Sequence, residues 1–146
     1  MSDKQLHILQ SEWVTLQNQF DSYEKCSLAI KLFNILTCCI LVFVFDTNLW
    51  PLAIIAILWL QDGIWKTFQR RIGQRLEVVE RAIQDDPNRI PDNAPYIGMQ
   101  FNLVWNQSRP HAIGLVREYI KQALKPTVAY PHVVLMALVI GELYVN

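Results

Sequence analysis

Three apolar runs divide this chain, and the placement of lysine and arginine around them restricts what it can fold into. The first, Cys26 to Phe45, carries no strongly polar residue from Ile35 onward, and only Lys31 and Asn34 interrupt its first half. The second runs from Leu49 to Trp65 and the third from Pro126 to about Val145. A helix needs about 20 apolar residues to cross the hydrocarbon of a bilayer, so each run reads as a transmembrane helix. Hydrophobic residues make up 52% of the 146 and charged residues 18%, an apolar balance even for a compact soluble domain. Three spans leave too little chain for a large soluble enzyme domain. A formal net charge of zero argues against a nucleic-acid binder working through a positive field.

All thirteen lysines and arginines lie outside the 46–48 segment and none follows Lys125. Basic residues are retained on the cytoplasmic side of membrane spans. Lys66, Arg70, Arg71 and Arg75 follow the second span, and Lys121 and Lys125 precede the third. The expected fold class is therefore an all-α membrane protein: a transmembrane helical hairpin with cytosolic helical extensions and a third, C-terminal transmembrane helix. The N-terminus is expected in the cytoplasm and the C-terminus on the opposite side, with a bacterial inner membrane as the economical location. Asp46-Thr47-Asn48 forms the hairpin turn, Asn48 can cap the returning helix, and Pro51 sits in its first turn, where a missing N–H is harmless. Pro131 is expected to kink the third span. Met1 to Gln5 lacks a basic segment leading into an apolar one, so no cleaved signal peptide is expected. A soluble bundle with buried core helices would share the apolar runs but leave the one-sided basic residues unexplained.

Residues 1–25 read as a cytosolic amphipathic helix. Leu6, Leu9, Trp13, Leu16, Phe20 and Tyr23 recur at spacings of three and four, the heptad rhythm of a coiled-coil-like packing face, and Ser2 with Gln5 fits a capping box. Extending the rhythm into residues 26–45 selects Ser27, Ile30, Asn34, Thr37 and Leu41. In water a packed face must be apolar; in lipid, small and hydrogen-bonding residues mark helix contacts instead. One face that changes from Leu, Trp and Phe to Ser, Asn and Thr thus reads as one long helix passing between two solvents. Asp21 with Glu24 is a second capping-box pattern and offers the alternative of a break there.

The second span, 49–65, continues over 66–84 as a cytosolic helix with Phe68, Ile72, Leu76, Val79 and Ile83 on one stripe, and Asp85-Asp86-Pro87 ends it. Paired with the N-terminal helix it makes an antiparallel stalk reaching about 30 to 35 Å beyond the apolar zone. Residues 85–109 read as an irregular cytosolic segment. Its start holds three prolines, and alternation over 97–105 leaves strand, short helix or interfacial segment open, with Tyr96 and Trp105 at the headgroup level in the last case. Residues 110–124 form an amphipathic helix, with Ser108 as its cap and Ile113, Val116, Ile120 and Leu124 on one face, suited to packing under the membrane surface. Residues 126–145 are the third span.

The intramembrane polar candidates are Lys31, Asn34, Asp62, His132 and Glu142. By helix rise, Lys31 lies about 22 Å and Asp62 about 20 Å from the outer edge, a common depth at which they can pair. The functional reading is part of an ion or proton route that also includes Asn34 and Gln61. The structural reading has Lys31 snorkelling and Asp62 held by Lys66, four residues on. Glu142 lies near the outer end and can meet water. His132 follows Pro131 and can bond a freed carbonyl or sense pH. His7, His111 and His132 are too scattered for a metal site, so no metal and no cofactor are expected. Cys26, Cys38 and Cys39 outline no disulfide framework, although Cys26 is a juxtamembrane lipidation candidate. Lys66, Arg70, Arg71 and Arg75 are the expected lipid-headgroup contacts. The expected role is that of a small non-enzymatic multi-pass protein, a scaffold or accessory subunit that self-associates or binds another protein through its stalk. The alternative is a subunit of an oligomeric channel or small transporter. Expected partners are membrane lipids and a second copy or another protein, not nucleic acid.

Overall fold

The computed structural model describes residues 3–44, 49–84, 98–99, 101–108 and 110–145. Among them the chain is all-α, with no strand: α1 (Asp3–Val44), α2 (Trp50–Gln84), α3 (Phe101–Ser108), α4 (Ala112–Ala123) and α5 (Pro126–Val145). The Ser2 cap, the 46–48 turn, the 85–97 stretch and Tyr96 lie outside the described residues.

α1 is unbroken over 42 residues, about 63 Å at 1.5 Å per residue. It contains neither glycine nor proline. The alternative start at Asp21 is not used, because its carboxylate accepts a 3.0 Å hydrogen bond from Gln17 one turn earlier, inside a continuous helix. α2 runs antiparallel to α1: Glu12 meets Arg75, Ser27 meets Asp62, and Cys38 shares a buried cluster with Ile55. α5 lies against the apolar halves of both, and α4 against the middle of α2. α4 and α5 are joined at Leu124–Lys125, where the Lys125 N–H bonds the Gln122 carbonyl and Pro126 opens the next helix.

Two corrections to the sequence reading concern the middle of the chain. Residues 101–108 are helical, not irregular or strand-like: Phe101 and Trp105, one turn apart, point to the same side, and Trp105 stacks on Phe68 of α2 at 6.0 Å. Ser108 closes α3 rather than capping α4, whose N-cap is His111 without a side-chain bond.

Packing inverts along the long axis. In the lower part, Leu9 and Leu16 of α1 meet Ile72, Leu76, Val79 and Ala82 of α2, with Trp13, Phe20 and Tyr23 beside them. In the upper part the buried face carries Ser27, Asn34, Asp62 and His132 together with the apolar Cys38, Ile55, Leu135 and Val139, while Leu28, Leu32, Leu36, Ile57, Val134 and Leu138 face outward. Helices α1 and α5 are long and apolar enough to cross a membrane, and only 17% and 22% of their most apolar windows is covered by the rest of the protein. The apolar opening of α2 is not among them, since Gln61 and Asp62 interrupt it after Leu60.

Close approach of α2 and α4 depends on Gly63. A Cβ there would sit 2.7 Å from the Ala123 Cβ and 3.1 Å from the Tyr119 carbonyl oxygen. Gly63→Ala should cost about 1–3 kcal/mol through overpacking, and Ala123→Gly should recover part of that loss. Thermal unfolding in mild detergent tests this; an unchanged midpoint for Gly63→Ala would show that α4 is not seated on this glycine.

Candidate functional site

A polar cluster sits where α1, α2 and α5 meet. α1 supplies Ser27, Lys31 and Asn34, spaced at four and three so that they share one face of the helix. Asp62 comes from α2 and His132 from α5. Asp62, Asn34 and His132 are each 0% exposed. The two carboxylate oxygens of Asp62 are separately engaged: the Ser27 hydroxyl donates to one, and Lys31 Nζ at 3.6 Å and His132 Nε2 at 3.5 Å face the other. His132 Nδ1 lies 2.6 Å from Asn34 Nδ2. With Asn34 donating to Nδ1, the imidazole proton belongs on Nε2, pointing at Asp62. The indole of Trp59 stacks on the imidazole at 6.2 Å, and its N–H donates to the Ala123 carbonyl at 2.9 Å.

Lys31 has a second partner that explains its place in the chain. Pro131 lies inside α5 and has no N–H, so the carbonyl four residues earlier, that of Thr127, loses its helical donor. Lys31 Nζ donates to that carbonyl at 3.0 Å. One ammonium therefore serves both the carboxylate of α2 and the proline-freed carbonyl of α5. A neighbouring helix resatisfying a freed backbone group is what makes an interior proline tolerable away from water.

Lys31, Asn34, Asp62 and His132 thus converge in one cluster, whereas Glu142 stands apart near the end of α5. Two local expectations are corrected. Lys66 does not hold Asp62; its ammonium bonds Gln69 Oε1 at 2.8 Å, and Asp62 turns to α1 and α5. His132 does not bond a freed carbonyl, because Lys31 takes it and both imidazole nitrogens face side chains. Of the α1 positions on the expected seam, Leu9 and Leu16 are buried with the α2 cluster and Trp13, Phe20 and Tyr23 are half-buried beside it, Asn34 is buried against His132 of α5, and Leu6 and Thr37 are half-buried.

The expected headgroup row is mostly turned inward. Arg75 grips Glu12 through two hydrogen bonds of 2.8 and 3.2 Å, and the Arg71 guanidinium pairs with Glu118 and lies 3.8 Å over the Trp105 ring. Lys66 is half-buried on Gln69, which leaves Arg70 as the exposed member of the four. Glu12, unremarked in the sequence reading, is the acidic counterpart of this row; it is 3% exposed and also accepts the Met99 N–H at 2.7 Å. Its position between Leu9 and Leu16 on the seam was the available signal, since a carboxylate on a packed face needs a basic partner.

Near Arg71, a cavity of about 290 Å³ is bordered by Tyr23, Phe68, Phe101 and Trp105. Among the described residues no three His, Cys, Asp or Glu side chains converge as a metal site. No family model, curated protein or solved structure matches the chain.

The arrangement does one thing plainly: it ties three helices together through groups that cannot be left alone in an apolar interior. Removing one partner of a buried ion pair strands the other, at about 3–5 kcal/mol. Asp62→Ala should lose that much, measured as unfolding free energy in detergent, and an effect below about 1 kcal/mol would deny the cluster this role. The Lys31–Thr127 bond makes a separate forecast. In a Pro131→Ala background the backbone N–H returns, so Lys31→Met should cost less than it does beside Pro131, with a coupling of about 0.5–3 kcal/mol. Strict additivity would show that the lysine does not serve the freed carbonyl.

Proposed function

We propose that this chain is a small, non-enzymatic, multi-pass membrane protein that acts as a scaffold or accessory subunit, with α1, α5 and the apolar opening of α2 embedded in lipid. The observation that carries the reading is the inversion of packing on one face of α1. Between Tyr23 and Ser27 that face passes from apolar side chains packed against α2 to polar ones, while the outward face passes from polar to Leu28, Leu32 and Leu36. A single solvent does not favour both arrangements; water below and hydrocarbon above favour each in turn. The halves of α1 and α2 outside the lipid form the stalk, in the cytoplasm by the placement of the basic residues.

A scaffold role fits the way the polar cluster is closed. Asp62, Asn34 and His132 are enclosed by three helices of one chain and bonded to one another, so their chemistry is used in holding the helices in register. The Arg75–Glu12 pair fixes the stalk in the same way lower down. A rigid rod anchored in a membrane suits presentation to a second copy or another protein.

The channel or transporter alternative draws on one specific observation: Lys31, Asp62 and His132 place ionisable groups together inside the apolar half, where such groups mark ion or proton routes in other membrane proteins. Proton or cation flux in reconstituted vesicles that disappears in Asp62→Asn, with the fold retained by circular dichroism, would favour that alternative.

Val14 and Val78, exposed on the stalk away from its core, give the test of the leading reading. Crosslinking in native membranes and mass measurement in mild detergent should find the chain in assemblies larger than a monomer. Val14→Glu with Val78→Glu should reduce them, while Leu28→Ala on the outward face of the apolar half should not. A crosslinked population consisting only of monomers would overturn the scaffold role.

A further inference from the structure

The basic row expected to meet lipid headgroups lies on α2, yet Lys66, Arg71 and Arg75 are engaged with protein. The exposed basic residues near this level are Arg70 on α2 and a row on α4 and the junction that follows it. Arg117, Lys121 and Lys125 follow one another at intervals of four and are all exposed. One position before each of them stand Val116, Ile120 and Leu124, with Ile113 extending the row, and these are 55%, 48%, 63% and 86% exposed respectively. Successive positions on a helix are about 100° apart, so an aliphatic row runs directly beside a cationic one.

α4 turns this surface away from its own protein. Its docked side carries Gln122, which donates to the Lys66 carbonyl, and Ala123, which packs on Gly63, with Leu115 and Tyr119 half-buried beside them and the exposed Glu118 pairing with Arg71 at the edge. An amphipathic helix in water does the opposite, burying its aliphatic side and exposing its polar side. The aliphatic row also leads across the Leu124–Lys125 junction toward the exposed Tyr130, Val134 and Leu138 of α5.

We infer that α4 is an anionic-lipid contact, its aliphatic row entering the edge of the acyl-chain region and its Arg117, Lys121 and Lys125 row resting on lipid phosphates. The class of ligand follows from the pairing of rows. Aliphatic side chains need an apolar phase, and three cations at their edge need a layer of negative charge at its boundary, a combination that an anionic leaflet supplies. A second copy of α4 does not complement it: the helix has one carboxylate, Glu118, and that is taken by Arg71. Long Lys and Arg stems allow the charges to reach the headgroups while the helix body sits lower. This inference rests on the membrane placement proposed above and adds a lipid-specific surface to it.

The full chain in lipid nanodiscs provides the test, with a nitroxide at Ile120→Cys and, separately, at Leu36→Cys, in a background where Cys26, Cys38 and Cys39 are alanine and circular dichroism matches the parent. In phosphatidylcholine discs containing phosphatidylglycerol, the label at 120 should collide more with oxygen than with a water-soluble nickel chelate. Discs of phosphatidylcholine alone should shift that ratio toward water. Arg117→Gln, Lys121→Gln and Lys125→Gln together should abolish the difference between the two lipids. If position 36 reports lipid and position 120 reports water, the α4 inference fails and the membrane placement stands. If both report water, the membrane placement fails as well. A label at 120 shielded from both reagents would place protein against this face and overturn the lipid assignment. Equal ratios in the two lipids for the unsubstituted row would remove the anionic component.

Discussion

A carboxylate without access to water has to be met by donors, and Asp62 imposes that requirement on three helices at once. Ser27 and Lys31 must come from α1 and His132 from α5, which sets the register of both helices against α2. In an apolar interior a charge left unmatched is far costlier than a missing van der Waals contact, so these bonds discriminate against sliding or rotation of any one helix. Lys31 extends the same logic to the backbone, since the carbonyl released by Pro131 lies within its reach. The proline and the lysine are 100 positions apart in sequence and act as one structural feature.

From this node the molecule builds outward in two directions. Below it, α1 and α2 exclude water from Leu9, Leu16, Ile72, Leu76 and Val79, and the buried Glu12 on that face is met by Arg75 through two hydrogen bonds. Above it, Cys38, Ile55, Leu135 and Val139 close the interior with smaller and branched groups, while the larger aliphatic side chains of α1 turn out. α4 is brought close by the absence of a side chain at Gly63, and its seating leaves aliphatic residues outside. The exterior of the upper half and the exterior of the stalk are therefore chemically different surfaces on the same helices. That difference is the basis for the proposal of a membrane-anchored rod.

Several features were legible from residue order because they are local. The heptad spacing from Leu6 to Tyr23 and its continuation through Ser27 and Asn34 mark one side of α1 directly, since helical periodicity projects sequence spacing onto a face. The bounds of α5 follow from Pro126 and an apolar run, and the aliphatic row of α4 from spacings of three and four. Residues 97–105 stayed open between strand, short helix and interfacial segment for an instructive reason: an alternating pattern over a few positions fits a strand, but Phe101 and Trp105 are also one helical turn apart, and the helix over 101–108 brings Trp105 onto Phe68. The fate of the basic residues after Trp65 was equally invisible, because whether an arginine meets lipid or Glu12 depends on which helix lies across from it.

Residue order by itself determined the helical class, the apolar runs, the side of α1 that packs and the list of polar residues that an apolar interior must accommodate. These depend on periodicity and composition, which need no knowledge of distant neighbours. Only the tertiary structure decided that Asp62 turns from Lys66 to Lys31 and His132, that Lys31 completes the helix broken by Pro131, and that α4 presents its aliphatic row outward. Each of those is a choice among partners separated by tens of residues, and desolvation makes the choice only when the helices are side by side.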